Sequence, residues 1–178
     1  MIERHAGVRR LCLAVSSGAS DLLASACRMG GFDRLQLLGE PGRGIEVAVA
    51  PPGVDEIALI RDLLEELHGR IRARPSGPGG PVLMAVHVGI IRVVGDGFGG
   101  TGVARTRELV LAPAVTAMVC QAEREATVSV VVSDSLFADL RAEGLPGDGW
   151  RPVASAAGWL RTVAAPGVGG GSGLQRWW

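Results

Sequence analysis

Lysine and tyrosine are absent from the 178 residues, and all 18 basic side chains are arginine, balanced by 18 acids. Without an ε-amino group the chain has no Walker-type P-loop, no kinase-type phosphate anchor, no Schiff base to pyridoxal phosphate and no Ser-Lys dyad. A net charge of zero supplies no general field for nucleic acid or an acidic membrane, so neither is expected as a partner. Cysteine is scarce too: Cys12, Cys27 and Cys120 are odd in number, widely spaced and without a C-x-x-C, which excludes a disulfide framework and a zinc knuckle. They read as small buried hydrophobes. Long apolar runs are also missing. Residues 11–15 are too few for the core of a signal peptide, and the uncharged stretch 109–122 has the length of a buried helix, short of a membrane span. The expectation is a soluble, cytoplasmic, single-domain protein.

The pattern of what is present is mixed. Residues 9–15 (RRLCLAV) read as a strand ended by Ser16-Ser17-Gly18, and a helix over 20–29 stops at Gly30-Gly31. Two short β runs, 35–38 and 45–50, flank a glycine- and proline-rich hairpin loop, and Pro51-Pro52 closes the unit. The strongest helix runs from 54 to 74, with Ile57, Ile60, Leu63, Leu64, Leu67 and Ile71 at spacings of three and four, acids in its first turn and arginines in its last. Residues 82–94 are strongly β, with Gly89 marking a bend or bulge. A glycine-rich turn over 95–102 precedes a helical segment over 103–110, and Pro113 starts another helix, 114–125. A strand at 127–132 leads to Ser133, the cap of a helix over 134–143 that turns Leu136, Phe137 and Leu140 inward. A last strand covers 159–164. The predicted class is α+β: a ferredoxin-like βαββαβ core with additional α/β elements, its helices on one side of the sheet.

Few side chains form a chemical constellation. Gly95-Asp96-Gly97-Phe98-Gly99-Gly100 satisfies G-x-G-x-x-G, but no acid stands on a following strand, so it reads as a glycine turn. His5, His68 and His87 are isolated, and His87 reads as a structural histidine within a strand. No serine sits in G-x-S-x-G and no cysteine has a local base, so covalent catalysis has no candidate.

Four stretches in this order, RRLCLAVSSG from Arg9, Gly42 to Val49, Val86-His87-Val88-Gly89 continuing through Gly100-Thr101-Gly102-Val103 to Pro113, and Val131 to Phe137, resemble the class III nucleotidyl (adenylyl/guanylyl) cyclase homology domain, in its degenerate actinobacterial-type branch. The resemblance spans 9–166 and leaves 167–178 as a flexible Gly-rich tail. It implies a dimer whose active sites use two metal-binding aspartates from one subunit and an Asn/Arg pair from the other. The aspartates would fall at Ser16 and Arg43, the Asn/Arg pair at Ala104 and Glu108, and the base-selecting positions near Gly39 and Gly97. Arginine cannot ligate magnesium, and glutamate reverses the charge of the arginine it replaces. Both halves of the site are therefore lost.

These substitutions predict a catalytically inactive domain, with no cofactor and no metal, kept as a dimerisation or protein-interaction module. Its partner would be a second copy or another cyclase-homology or signalling protein. The alternative is a metal-free nucleotide or anion sensor in which Arg43, Arg105 and Arg107 pair with phosphate oxygens. In the tail, Gly169 to Gly173 read as a spacer before Leu174, Trp177 and Trp178, a candidate linear anchor for a partner.

Overall fold

In the opening strand β1 (Val8–Ser16), every side chain from Leu11 to Val15 is buried. Successive side chains of a strand point to opposite faces, so such a run requires a sheet covered on both sides. The computed structural model describes residues 7–16, 36–39, 44–73, 82–95, 97–122, 127–145 and 147–164, and it has that arrangement. β2 (Gln36–Gly39) and β3 (Ile45–Val49) pair as the expected antiparallel hairpin, followed by α1 (Glu56–Ala73) and the long β4 (Val82–Val94). Then come β5 (Gly97–Gly99), α2 (Thr101–Leu111), α3 (Pro113–Ala122), β6 (Thr127–Ser133), α4 (Asp134–Ala142), β7 (Arg151–Val153), a 3-10 turn (Ala154–Ala156) and β8 (Gly158–Ala164).

The described strands lie in the order β2-β3-β1-β4-β6-β8-β7, with β5 paired to the end of β4. The first four are antiparallel neighbours and β3 lies between β1 and β2, the split βαβ arrangement of the predicted ferredoxin-like core. β4 and β6 run parallel, and α2 and α3 make the crossover that a parallel pair needs. The helix expected at 20–29 lies outside the described residues.

The predicted placement of helices on one side is corrected. Met84, Val86, Val130 and Val132 pack with Ile60, Leu63, Leu136 and Leu140, so α1 and α4 cover one face. Leu83, Ala85, Val131 and Cys12 pack with Val103, Leu109, Val115 and Val119, so α2 and α3 cover the other. The consecutive apolar residues of β1, β4 and β6 carry that information, because a one-sided sheet would alternate with polar residues.

Smaller corrections follow from backbone geometry. Gly89 marks no bulge, since the register Arg10↔Gly89 is continuous with its neighbours. Instead, a Cβ built on Gly89 would meet Gly102 Cα at 2.6 Å, so the glycine permits α2 to cross β4 at backbone contact. The glycine turn contains β5, with Gly95 and Gly100 at positive φ on either side of it, and α2 begins two residues earlier than expected. Cys12 is buried but Cys120 is exposed, so burial does not hold for all the cysteines. Cys27 lies outside the described residues. Two helix starts use side-chain caps: Asp55 Oδ1 accepts from the Ile57 and Ala58 amides at 3.1 and 2.9 Å, and Ser133 Oγ accepts from the Leu136 amide at 3.4 Å.

Candidate functional site

Ser16 ends β1 opposite Ile45, the first residue of β3. The strand end and the hairpin are therefore neighbours, as the resemblance requires. The Ser16 hydroxyl accepts a hydrogen bond from the Leu83 amide of β4 at 3.3 Å, so it ties the edge of one strand to the next. A neutral hydroxyl already accepting from backbone offers little to a divalent cation compared with a carboxylate. Arg43 lies outside the described residues, between the described Gly39 and Gly44. Among the described residues no group of three or more His, Cys, Asp or Glu side chains is placed to hold a metal ion.

On α2, Gly102, Val103, Thr106, Leu109 and Val110 are buried against the sheet, leaving Ala104 and Glu108 on the exposed side one turn apart. Among the described residues neither makes a hydrogen bond or ion pair with Ser16. Glu108 is ion-paired with Arg105 at 3.1 Å. Arg105 also donates to the carbonyls of Ala156 and Ala157, the latter at 2.9 Å. That guanidinium fastens the turn between β7 and β8, whose Ala157 has a φ of 43°. Arg107 is half-buried and two positions further on, which turns it well away from Arg105 around the helix. The two arginines do not converge on one anion. Leu174, Trp177 and Trp178 lie outside the described residues.

The sequence reading missed a polar node where β4 and β6 meet the helices. His87 lies on the α2 side of the sheet, and its Nδ1 is 2.7 Å from Ser133 Oγ. Ser133 shares that side but caps α4, whose apolar face packs on the opposite side. One hydroxyl thus touches both layers, with Ser135 Oγ 3.3 Å away. The next amide, Asp134 N–H, donates to the Ala157 carbonyl at 3.1 Å, the oxygen that Arg105 also holds. Burial holds the His87 imidazole below its usual range, with Arg105 and then Arg9 acting in the same direction. The opposite effect of burial pushes the Cys12 thiol up to about 12, leaving it a protonated hydrophobe.

A second missed feature is apolar. β4 continues beyond its pairing with β6 and folds back as β5, and this arm leaves Val93 and Val94 53% and 63% exposed. Ile90, before the turn, and Val8, at the start of β1, are exposed as well. The available signal in the sequence was a valine pair directly before Gly95, read there only as strand. Arg10 lies over the Phe98 ring of β5, with 6.0 Å between guanidinium carbon and ring centroid, which fixes the arm to the body.

No protein-family model matches the chain, and no curated protein matches its sequence. Among solved structures, the crystal structure of an adenylate/guanylate cyclase/hydrolase from Silicibacter pomeroyi is similar, with a TM-score of 0.51 and 13% identity over 86% of this chain and 96% of that one. At that identity the likeness concerns the fold, and the chain has a nucleotide cyclase-like α+β fold.

Proposed function

We propose that this is a catalytically inactive cyclase-like domain of the degenerate actinobacterial type, which acts as a dimerisation module in a signalling or regulatory assembly, with a second copy of the chain as its partner. The observation that carries the reading is the β4–β5 arm. Val93 and Val8 on one face of the strand pair, and Val94 and Ile90 on the other, leave exposed apolar side chains on both sides of the hairpin, with no cover from the described residues of the chain. In a two-fold association each arm meets its equivalent, so every apolar residue is used twice.

The inactive half of the proposal rests on residue chemistry. Ser16 provides one neutral oxygen, committed to the Leu83 amide, and Arg43 would repel the cation that an aspartate would bind. The residues present do not fit a two-metal site. Ala104 has no side-chain group to hydrogen-bond a ribose, and Glu108, paired with Arg105, carries the charge opposite to the arginine that the resemblance calls for. The sensor reading loses Arg105 to the Ala156 and Ala157 carbonyls and to Glu108.

Light scattering at tens of micromolar measures the association, beside Val93→Glu/Val94→Glu. The paired substitution, acting on both copies, weakens dimerisation by about 3 kcal/mol, roughly a hundredfold in Kd. A monomeric parent chain overturns the dimerisation reading. Incubation with ATP or GTP and magnesium or manganese yields no cyclic nucleotide; a cyclic product refutes inactivity.

A further inference from the structure

We propose that the His87–Ser133 pair is a proton-operated latch between the two helical layers, closed when the imidazole is neutral and loosened when it takes up a proton. The inference does not depend on the dimerisation reading. Its basis is the position of one ring between two helix starts. Ser133 Oγ, 2.7 Å from Nδ1, is itself the cap of α4 and accepts from the Leu136 amide. On the other flank, a Cβ built on Gly89 would lie 2.9 Å from His87 Nε2 and 2.6 Å from Gly102 Cα, so the ring sits beside the first turn of α2. Both helices direct the positive end of their dipoles toward this region.

With the ring neutral, each group has a matching role. In the Nε2–H tautomer, the one on which the latch operates, Ser133 O–H donates to Nδ1 while its oxygen accepts from Leu136 N–H. Protonation converts Nδ1 from acceptor to donor, and the serine hydrogen must turn away, toward Ser135 Oγ at 3.3 Å. No bond to carbon forms or breaks; one proton arrives from solvent and one hydroxyl rotates. The new cation then faces Arg105 on α2, whose guanidinium holds the Ala156 and Ala157 carbonyls, and Ala157 O also accepts from the first amide of α4. Repulsion at the ring therefore acts on the bonds that join α2, the β7–β8 turn and α4.

The surrounding charges oppose a stable imidazolium. On α2, Arg105 is repulsive and Glu108 is engaged with it. On β1, Arg9 is paired with Asp139 of α4 at 3.2 Å, Arg10 lies over the Phe98 ring, and Cys12, the register partner of His87, stays protonated. On the α4 side, Asp134 in the first turn is exposed, while Ser133 and Ser135 are neutral. From β6 and the 3-10 turn the neighbouring groups carry no charge.

The test is amide hydrogen exchange of the full chain between pH 8 and 5, corrected for intrinsic exchange, with imidazole titration by NMR. Below pH 6.5, exchange at Leu136 and Ala157 rises by up to about tenfold per pH unit until the folded ring titrates, while β1 and β6 amides stay protected. His87→Gln, whose carbonyl still accepts from Ser133, abolishes that rise. Should this variant fail to fold, Arg105→Gln serves instead and moves the His87 titration upward, toward the ordinary imidazole value. Local exchange that is flat with pH in the parent chain overturns the latch. So does a rise that persists in His87→Gln, or one that occurs equally throughout the sheet.

Discussion

Gly89→Ala is the most direct test of the packing that places α2. The added methyl would come 2.6 Å from Gly102 Cα and 3.0 Å from Gly102 N, both backbone atoms, where contact normally needs about 3.5–4.0 Å. Rotamer change cannot relieve a clash with backbone, so the first turn of α2 must retreat by roughly 1 Å, taking with it the packing of Val103 and Thr106. Overpacking of this kind costs about 1–3 kcal/mol, and backbone on the receiving side argues for the upper half of that range. For a chain of this length the loss lowers Tm by roughly 4–12 °C. Urea unfolding followed by circular dichroism measures it, and the slope m should be unchanged. Gly69→Ala is the control: on an exposed part of α1, nothing lies within 4 Å of the added Cβ, and helix propensity stabilises it by up to about 1 kcal/mol. Gly89→Ala with a midpoint equal to or above that of the parent chain would refute the close crossing. Gly102→Ala meets Ile91 Cδ1 at 2.7 Å and Cys12 Sγ at 3.0 Å, so the double variant should lose less than the sum of the two singles, because a helix already displaced has room for the second methyl.

Other outcomes are equally specific. Ser133→Ala removes the α4 cap and leaves His87 Nδ1 without its donor, a loss of about 1–3 kcal/mol in urea, whereas Ser135→Ala changes stability by less than about 0.5 kcal/mol. Ala157→Gly relieves the left-handed backbone and, after the added entropy of glycine in the unfolded chain, stabilises by about 0.5 kcal/mol. The pH dependence has two opposing parts. Depression of His87 means that the unfolded chain binds the proton more tightly, so its contribution is complete above 6.5 and is lost as pH falls from there toward the folded titration point. Glu56 is raised above 4.5 by burial, so its contribution is complete below 4.5 and is lost as pH rises through its folded value. Glu56→Gln therefore stabilises at pH 7 and has no such effect at pH 3, as measured by urea midpoints at the two values.

Local chemistry made much of the fold legible in the chain. The cap at Ser133, the apolar spacing of Ile57, Ile60, Leu63 and Leu64, and the consecutive apolar residues of β1, β4 and β6 each depend on near neighbours, and the structure has strands or helices there. The same apolar strands also require cover on both faces of the sheet, because a one-sided sheet would alternate with polar residues. β5 was hidden because three residues, two of them glycine, carry no β pattern, and only the register with Arg92 to Val94 makes them a strand.

The candidate site divides along the same line. Residue identity by itself carried the expectation of a chemical deficit: no lysine anywhere, an arginine at 43, a serine at 16 and a glutamate at 108 where the resemblance calls for ligands and a cation. Those facts need no coordinates, because charge and ligand type belong to the side chain. Tertiary structure decided what the remaining polar groups do. Arg105 binds carbonyls 51 and 52 residues away, and His87 meets a cap 46 residues away. Contacts over such separations are fixed by strand order and helix crossing, which no local pattern encodes. The absence of lysine was plain from composition; the commitment of an arginine to the β7–β8 turn, and of a histidine to the join between two layers, required the fold.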